Sequence, residues 1–134
     1  QRSENPFRNY RQREVMGLGL RYLINDHARF GFAFINEDEE DLNMINTKTD
    51  RLNIYFHDDF EIGENIFFNT TIYIQPSVDD FSDDVKSSAI FALDFEVNEQ
   101  VTISLQYSRF NDNAPPMNAD KMDESISTKF SWSF

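Results

Sequence analysis

The sequence predicts an all-β protein, an antiparallel up-and-down β-barrel, on three observations. Apolar and polar residues alternate over segments of about ten residues, no segment carries a convincing helical period, and hairpin-length turns alternate with long polar loops. Alternation is the decisive signal, because successive side chains of a strand point to opposite faces. The chain is rich in aromatics, with 14 Phe and 5 Tyr in 134 residues, yet they are dispersed on every second position and do not stand in blocks.

Seven strands follow in order. In the first, Met16, Leu18, Leu20, Tyr22 and Ile24 alternate with Val15, Gly17, Gly19, Arg21 and Leu23. The second sets Phe30, Phe32 and Phe34 against Arg29, Gly31, Ala33 and Ile35. The third carries Leu52, Ile54, Phe56, Phe60 and Ile62, a stripe broken by Asp58, where a bulge or a near-solvent position is expected. In the fourth, Ile66, Phe68, Thr70, Ile72 and Ile74 oppose Phe67, Asn69, Thr71, Tyr73 and Gln75. The last three are the cleanest. Ala89, Phe91, Leu93, Phe95 and Val97 oppose Ser88, Ile90, Ala92, Asp94 and Glu96; Val101, Ile103, Leu105 and Tyr107 oppose Thr102, Ser104, Gln106 and Ser108. Ile126, Thr128, Phe130, Trp132 and Phe134 oppose Ser125, Ser127, Lys129, Ser131 and Ser133.

Three connections are turn-length: Asn25-Asp26-His27, Gly63-Glu64-Asn65 and Asn98-Glu99-Gln100. Between them lie polar stretches at 36–50, 76–86 and 111–124, read as long loops. Short and long then alternate without exception, which in a meander places all tight turns at one end and all long loops at the other.

Composition narrows the function classes. A net charge of -12 argues against a nucleic-acid partner, which would need clustered Lys and Arg. The absence of cysteine rules out a disulfide framework or a cysteine metal site within this sequence. No stretch approaches the roughly 20 apolar residues of a membrane-crossing helix. No apolar leader stands at Gln1, which leaves a removed signal peptide and a trimmed start equally open.

Which face is buried decides between two barrels. A soluble lipocalin-like cup encloses its apolar face and binds an apolar ligand there. A transmembrane barrel turns the apolar face to lipid and the polar face to a lumen. The polar faces of the last strands are Ser, Thr, Asn and Gln, small neutral residues suited to a confined interior, whereas a solvent face would favour Lys and Glu. Strands of about ten residues also suit a tilted bilayer crossing. The transmembrane reading leads, with outer-membrane lipid as the surrounding partner, the soluble cup as the alternative, and the long acidic loops outside the cell. Leu18, Leu20, Phe32, Ile54, Phe68, Ile72, Phe91, Leu93, Phe95, Ile103, Leu105, Phe130 and Trp132 then face lipid.

The opposite face would hold Arg21, Arg29, Arg51, His57, Asp59, Glu61, Asp94, Glu96 and Lys129 as a lumenal charge network. Bracing and plugging the lumen is the plain reading, since interior charges are tolerated when paired; lining a selective pore is the other. Single-chain barrels of this kind have an even strand number, because both termini sit in the periplasm. Seven strands therefore imply that this is the C-terminal part of a longer barrel, with residues 1–12 a distal loop or partial strand; the alternative is that Pro6 to Tyr10 contribute more structure than their sequence suggests.

Three stretches resemble a known family. They are Asn5-Pro6-Phe7-Arg8-Asn9-Tyr10 leading to Arg13-Glu14 and residues 17–22; Gln75-Pro76 before Asp79-Asp80-Phe81-Ser82-Asp83-Asp84; and Ser108-Arg109-Phe110-Asn111, then Pro115-Pro116, Lys121-Met122-Asp123 and the closing alternation. Together they resemble the C-terminal part of the salt-induced outer-membrane proteins, a domain-of-unknown-function family, in its Bacteroidota form. The resemblance implies a Gram-negative barrel with further strands upstream and no established catalytic residues. Met117-Asn118 stand where the family usually has Gly after the paired prolines. The terminal Phe130, Trp132 and Phe134 resemble the signal read by barrel-assembly machinery; they would also serve as an interfacial aromatic girdle.

Candidate chemistry is sparse. His27 falls in a turn, and His57 shares a face with Asp59 and Glu61, so a base with a carboxylate can be drawn without a placed nucleophile. An acyl-processing outer-membrane enzyme is the outside reading. Asp79, Asp80, Asp83 and Asp84, and the run from Glu37 to Asp41, could hold calcium loosely but match no EF-hand; no cofactor is implied. Asn69-Thr70-Thr71 fits a glycosylation sequon by letters, inside a strand. Gly17 and Gly19, on one strand face, give room to neighbouring side chains. The expected function is a structural or weakly pore-forming barrel, or a subunit of a larger outer-membrane complex.

Overall fold

The computed structural model describes residues 2–5, 10–41, 43–115 and 119–133, and in them one antiparallel sheet whose eight strands neighbour one another in chain order. The strands are β1 (Arg2–Asn5), β2 (Tyr10–Leu23), β3 (Arg29–Asp41), β4 (Asn46–Gly63), β5 (Ile66–Pro76), β6 (Val85–Asn98), β7 (Val101–Asp112) and β8 (Met122–Trp132). The seven expected strands are β2 to β8. The added β1 is four residues long and pairs with the start of β2, from Arg2 opposite Glu14 to Asn5 opposite Tyr10. It lies within residues 1–12, read from the sequence as a distal loop or partial strand.

Two expectations are corrected. Residues 36–50 are not a long loop: β3 runs to Asp41 and β4 starts at Asn46, so the connection is residues 42–45. Acidic residues are poor strand formers in isolation, but here the ladder continues in register, with Glu37 opposite Thr49 and Asp38 opposite Lys48. Lys48 Nζ stands 3.1 Å from the Asp38 carboxylate. The strict alternation of short and long connections therefore fails at this hairpin, while residues 77–84 and 113–121 remain long. Nor is there a bulge at Asp58, which pairs in step with Thr70 and is half-buried. The register slips instead at Glu61/Gly63 and Glu96/Asn98, beside the tight turns, where pairing ends and a slip disturbs least. In the two-residue turn 64–65, Asn65 takes φ 63°, a left-handed position that Asn tolerates.

The sheet is curled, and the curl has a sense. Strands stand about 4.8 Å apart, so β3 and β6 would be about 14 Å apart in a flat sheet. Yet Lys86 Nζ of β6 reaches Glu37 and Glu39 of β3 at 3.1 and 2.9 Å. The polar face is thus the concave one. Small residues line its tightest part: a Cβ on Gly19 would collide with Ala33, and one on Gly31 would enter the Tyr55 ring that lies across it. Among the described residues β8 pairs with β7 alone, and β2 beyond Glu14 pairs with β3 alone, which leaves two open edges.

Candidate functional site

The ladder decides which side chains share a face. Directly opposed residues point the same way, and the sheet is in step from β2 to β8 along the row Leu20, Phe32, Ile54, Ile74, Ser87, Asn111 and Met122. All thirteen residues expected to face lipid lie on the convex side, many of them openly exposed, Leu18 at 86% and Trp132 at 68% among them. Phe60, Phe68, Phe91 and Tyr107 form an aromatic file across β4 to β7, with centroids 5.3, 6.2 and 6.3 Å apart. Phe134, the last of the expected assembly signal, lies outside the described residues.

The convex apolar stretch is a band oblique to the ladder. On β2 it covers residues 16–22 and on β8 residues 126–132. Relative to the row that joins Leu20 to Met122, its centre slides by eight residues in six neighbour steps. At about 3.3 Å per residue and about 4.8 Å per step, the band is level when the strands tilt by about 40°. At that tilt the longest stretch, residues 52–62 of β4, climbs about 25 Å, the height of the apolar belt on outer-membrane barrels. Beyond it, at the loop end, the convex residues turn polar: Asn36, Asp38, Lys48 and Asp50.

The concave face carries charge at both ends. At the loop-side rim, outside the apolar band, Glu37 is 1% exposed and sits among three cations. Arg51 Nε donates to it at 2.7 Å, Lys86 Nζ donates at 3.1 Å, and Arg13 Nε donates as well. Burial pushes the Glu37 carboxyl up, but Lys86, Arg13 and Arg51 together outweigh it and hold the carboxyl at about 2. Arg51 also grips Asp84 through both terminal nitrogens at 2.9 Å. Its Nη1 donates to the Gln75 carbonyl at 3.2 Å. Asp112, 3.9 Å from Lys86, is driven the other way: burial raises its carboxyl, and Lys86 offsets only part of that. A cavity of about 270 Å³ lies against this cluster, and Ile45, Ala114 and Pro115 reach its wall.

At the turn-side end the charges are looser. Asp59 meets His57 at 3.2 Å, His27 at 3.4 Å and Arg29 at 3.5 Å, in partly exposed surroundings. Asn69, the letter-only sequon residue, lies mid-strand and donates to Asp94 at 2.8 Å. Arg21, Glu61, Glu96 and Lys129 share the concave face but form no side-chain ion pair among the described residues. A cavity of about 560 Å³ opens here, lined by Asp59, Glu61, Asp94 and Glu96 with His27. His57 Nδ1 lies 2.8 Å from the Thr71 hydroxyl, so a carboxylate, an imidazole and a hydroxyl stand in line. The ladder there is unbroken from 54 to 61, and amides held in a ladder are not free to stabilise an oxyanion.

Of the nine residues expected in a lumenal network, Arg51 is therefore central, Arg29, His57 and Asp59 form a second group, Glu61, Asp94 and Glu96 line the turn-side cavity, and Arg21 and Lys129 stand apart. The principal members Glu37, Glu39, Lys86, Arg13 and Asp112 were not singled out for it. The signal was present: Glu37 and Glu39 continue the parity of Gly31, Ala33 and Ile35, and so belong to the polar face once the strand is extended. Asp84, considered for calcium, is instead neutralised by Arg51, and no group of three or more metal-ligating side chains gathers among the described residues. No family model, curated protein or solved structure matches the chain.

Proposed function

We propose that this chain forms the wall of an outer-membrane β-barrel with a structural role, its lumen braced at the loop-side rim by the Glu37 cluster. The observation that carries the reading is the oblique band: an exposed apolar belt that becomes level, and of bilayer height, at one common strand tilt. A soluble cup needs its apolar side chains inside, whereas the concave face here offers Glu37, Arg51, Lys86, Ser104 and Ser127. In this reading the turns 24–28, 64–65 and 99–100 face the periplasm and the β3–β4 hairpin projects outward. Outer-membrane lipid is the first partner, barrel-assembly machinery acts during insertion, and kinship with the salt-induced outer-membrane proteins rests on the motifs given above.

The single tryptophan supplies the test. In vesicles of brominated phosphatidylcholine, Trp132 fluorescence is expected to be strongly quenched relative to unbrominated vesicles, and the folded chain to migrate faster on gels before heating than after. A chain that stays folded and monomeric without detergent, with Trp132 unquenched, sinks the membrane reading.

A further inference from the structure

The outer face of β4 carries one carboxylate at mid-height of the apolar band. Asp58 stands between Phe56 and Phe60 along the strand and opposite Thr70 of β5. Thr70 is only 8% exposed, and its hydroxyl has no hydrogen-bond partner. The cause is local: Thr70 is a short side chain among long ones, with Phe68 and Ile72 beside it on β5 and Phe91 opposite on β6. The result is an unpaired hydroxyl covered over by its neighbours, beside a half-buried carboxylate.

Such a pair is costly where it stands. An acidic side chain facing lipid lowers stability most near the midplane and least near the headgroups. Half of an apolar belt of about 25 Å separates Asp58 from the headgroup region, far beyond the reach of so short a side chain. Among the residues whose side chains are described, no cation stands at this height: the outer-face cations Lys48 and Arg109 lie beyond the band at its loop side, where they pair with Asp38 and Glu124. Two copies packed Asp58 to Asp58 would set carboxylate against carboxylate.

We infer that the outer face around Asp58 is an intramembrane docking site for a second, different membrane-embedded polypeptide. That partner places a Lys, Arg, Asn or Gln side chain against the Asp58 carboxylate. The carboxylate oxygens accept hydrogen bonds from the incoming nitrogen, a cation neutralises Asp58, and Phe60, Phe68 and Phe91 pack around the insert and exclude acyl chains. The inference rests on the membrane reading above and gives it a partner of defined chemistry.

Two measurements test it. The chain alone, in phosphatidylcholine vesicles, is unfolded by urea as wild type and as Asp58→Leu. The expectation is a folded-to-unfolded ratio raised about tenfold or more by the substitution, because no described side chain compensates the carboxylate. An unchanged or lowered ratio means that Asp58 is already satisfied, and the inference falls. In outer membranes of the source cells, a photoreactive residue replaces Phe60, with a second at Phe130 as control. A discrete adduct is expected at 60 and not at 130, at least tenfold weaker with Asp58→Leu, and its cross-linked peptide should carry Lys, Arg, Asn or Gln within an apolar segment. No adduct, an adduct with a second copy, or one indifferent to Asp58→Leu overturns the proposal. Loss of Trp132 quenching by brominated lipid would instead reject the membrane reading itself, so the two failures are distinct.

Discussion

The two ends of the concave face use the same residue types to opposite effect. At the loop-side rim, Glu37 and Arg51 are held at 2.7 Å with their side chains only 2% and 4% exposed. At the turn-side end, Asp59 and Arg29 stand 3.5 Å apart with 40% and 36% exposed. The difference is one of reach. The rim cluster draws on β2, β3, β4 and β6 and on the 77–84 loop, so the curl itself closes it. The turn-side ion pairs join neighbouring β3 and β4 and the 24–28 turn, and an open cavity keeps them wet. Ion pairs brace a fold where several strands bury them together; pairs between neighbours in water add little.

Substitutions can break or sharpen that contrast. Arg51→Met should have the largest effect, because it leaves Glu37 and Asp84 without a principal cation; a loss of about 3–5 kcal/mol is expected in urea unfolding from detergent micelles. The same variant should pass more current in a planar bilayer, since the brace also fills the rim. Acid comes next. Glu37 has an ordinary value of 4.5 and is held at about 2. Its contribution is therefore complete above about 4.5 and lost as the pH falls toward 2, a change of about 1–3 kcal/mol that Glu37→Gln should flatten. Asp59→Asn should be the mildest, under about 1 kcal/mol by the same unfolding assay. A cost for Asp59→Asn as large as that for Arg51→Met would erase the distinction between the two ends.

The fold was largely legible because alternation fixes faces. Ile103 and Leu105 against Ser104, or Phe91 and Leu93 against Ala92, need no long-range information to be sorted. The β3–β4 hairpin was not legible by composition, since Glu37, Glu39 and Asp41 are as much at home in a loop as in a strand. What holds Glu37 and Glu39 in the strand is Lys86, 49 positions away from Glu37, together with Arg51, whereas Asp41 accepts from the Asn43 and Ile45 amides of its own hairpin. Asp58 shows the converse. Its break in the stripe was visible, but a bulge and an outward-facing carboxylate predict the same letters, and only the register with Thr70 separates them.

The glycines of β2 and β3 carry a consequence for size. On the inside of a bend, side chains are what limit how tightly a sheet can wrap, and here that inner layer is nearly missing at Gly17, Gly19 and Gly31. The Tyr55 ring occupies the space over Gly31 and acts as a spacer between β3 and β4. Curvature is thus encoded as absent atoms: a methyl group added at Gly19 presses on Ala33, and the sheet can relieve it only by opening to a wider radius.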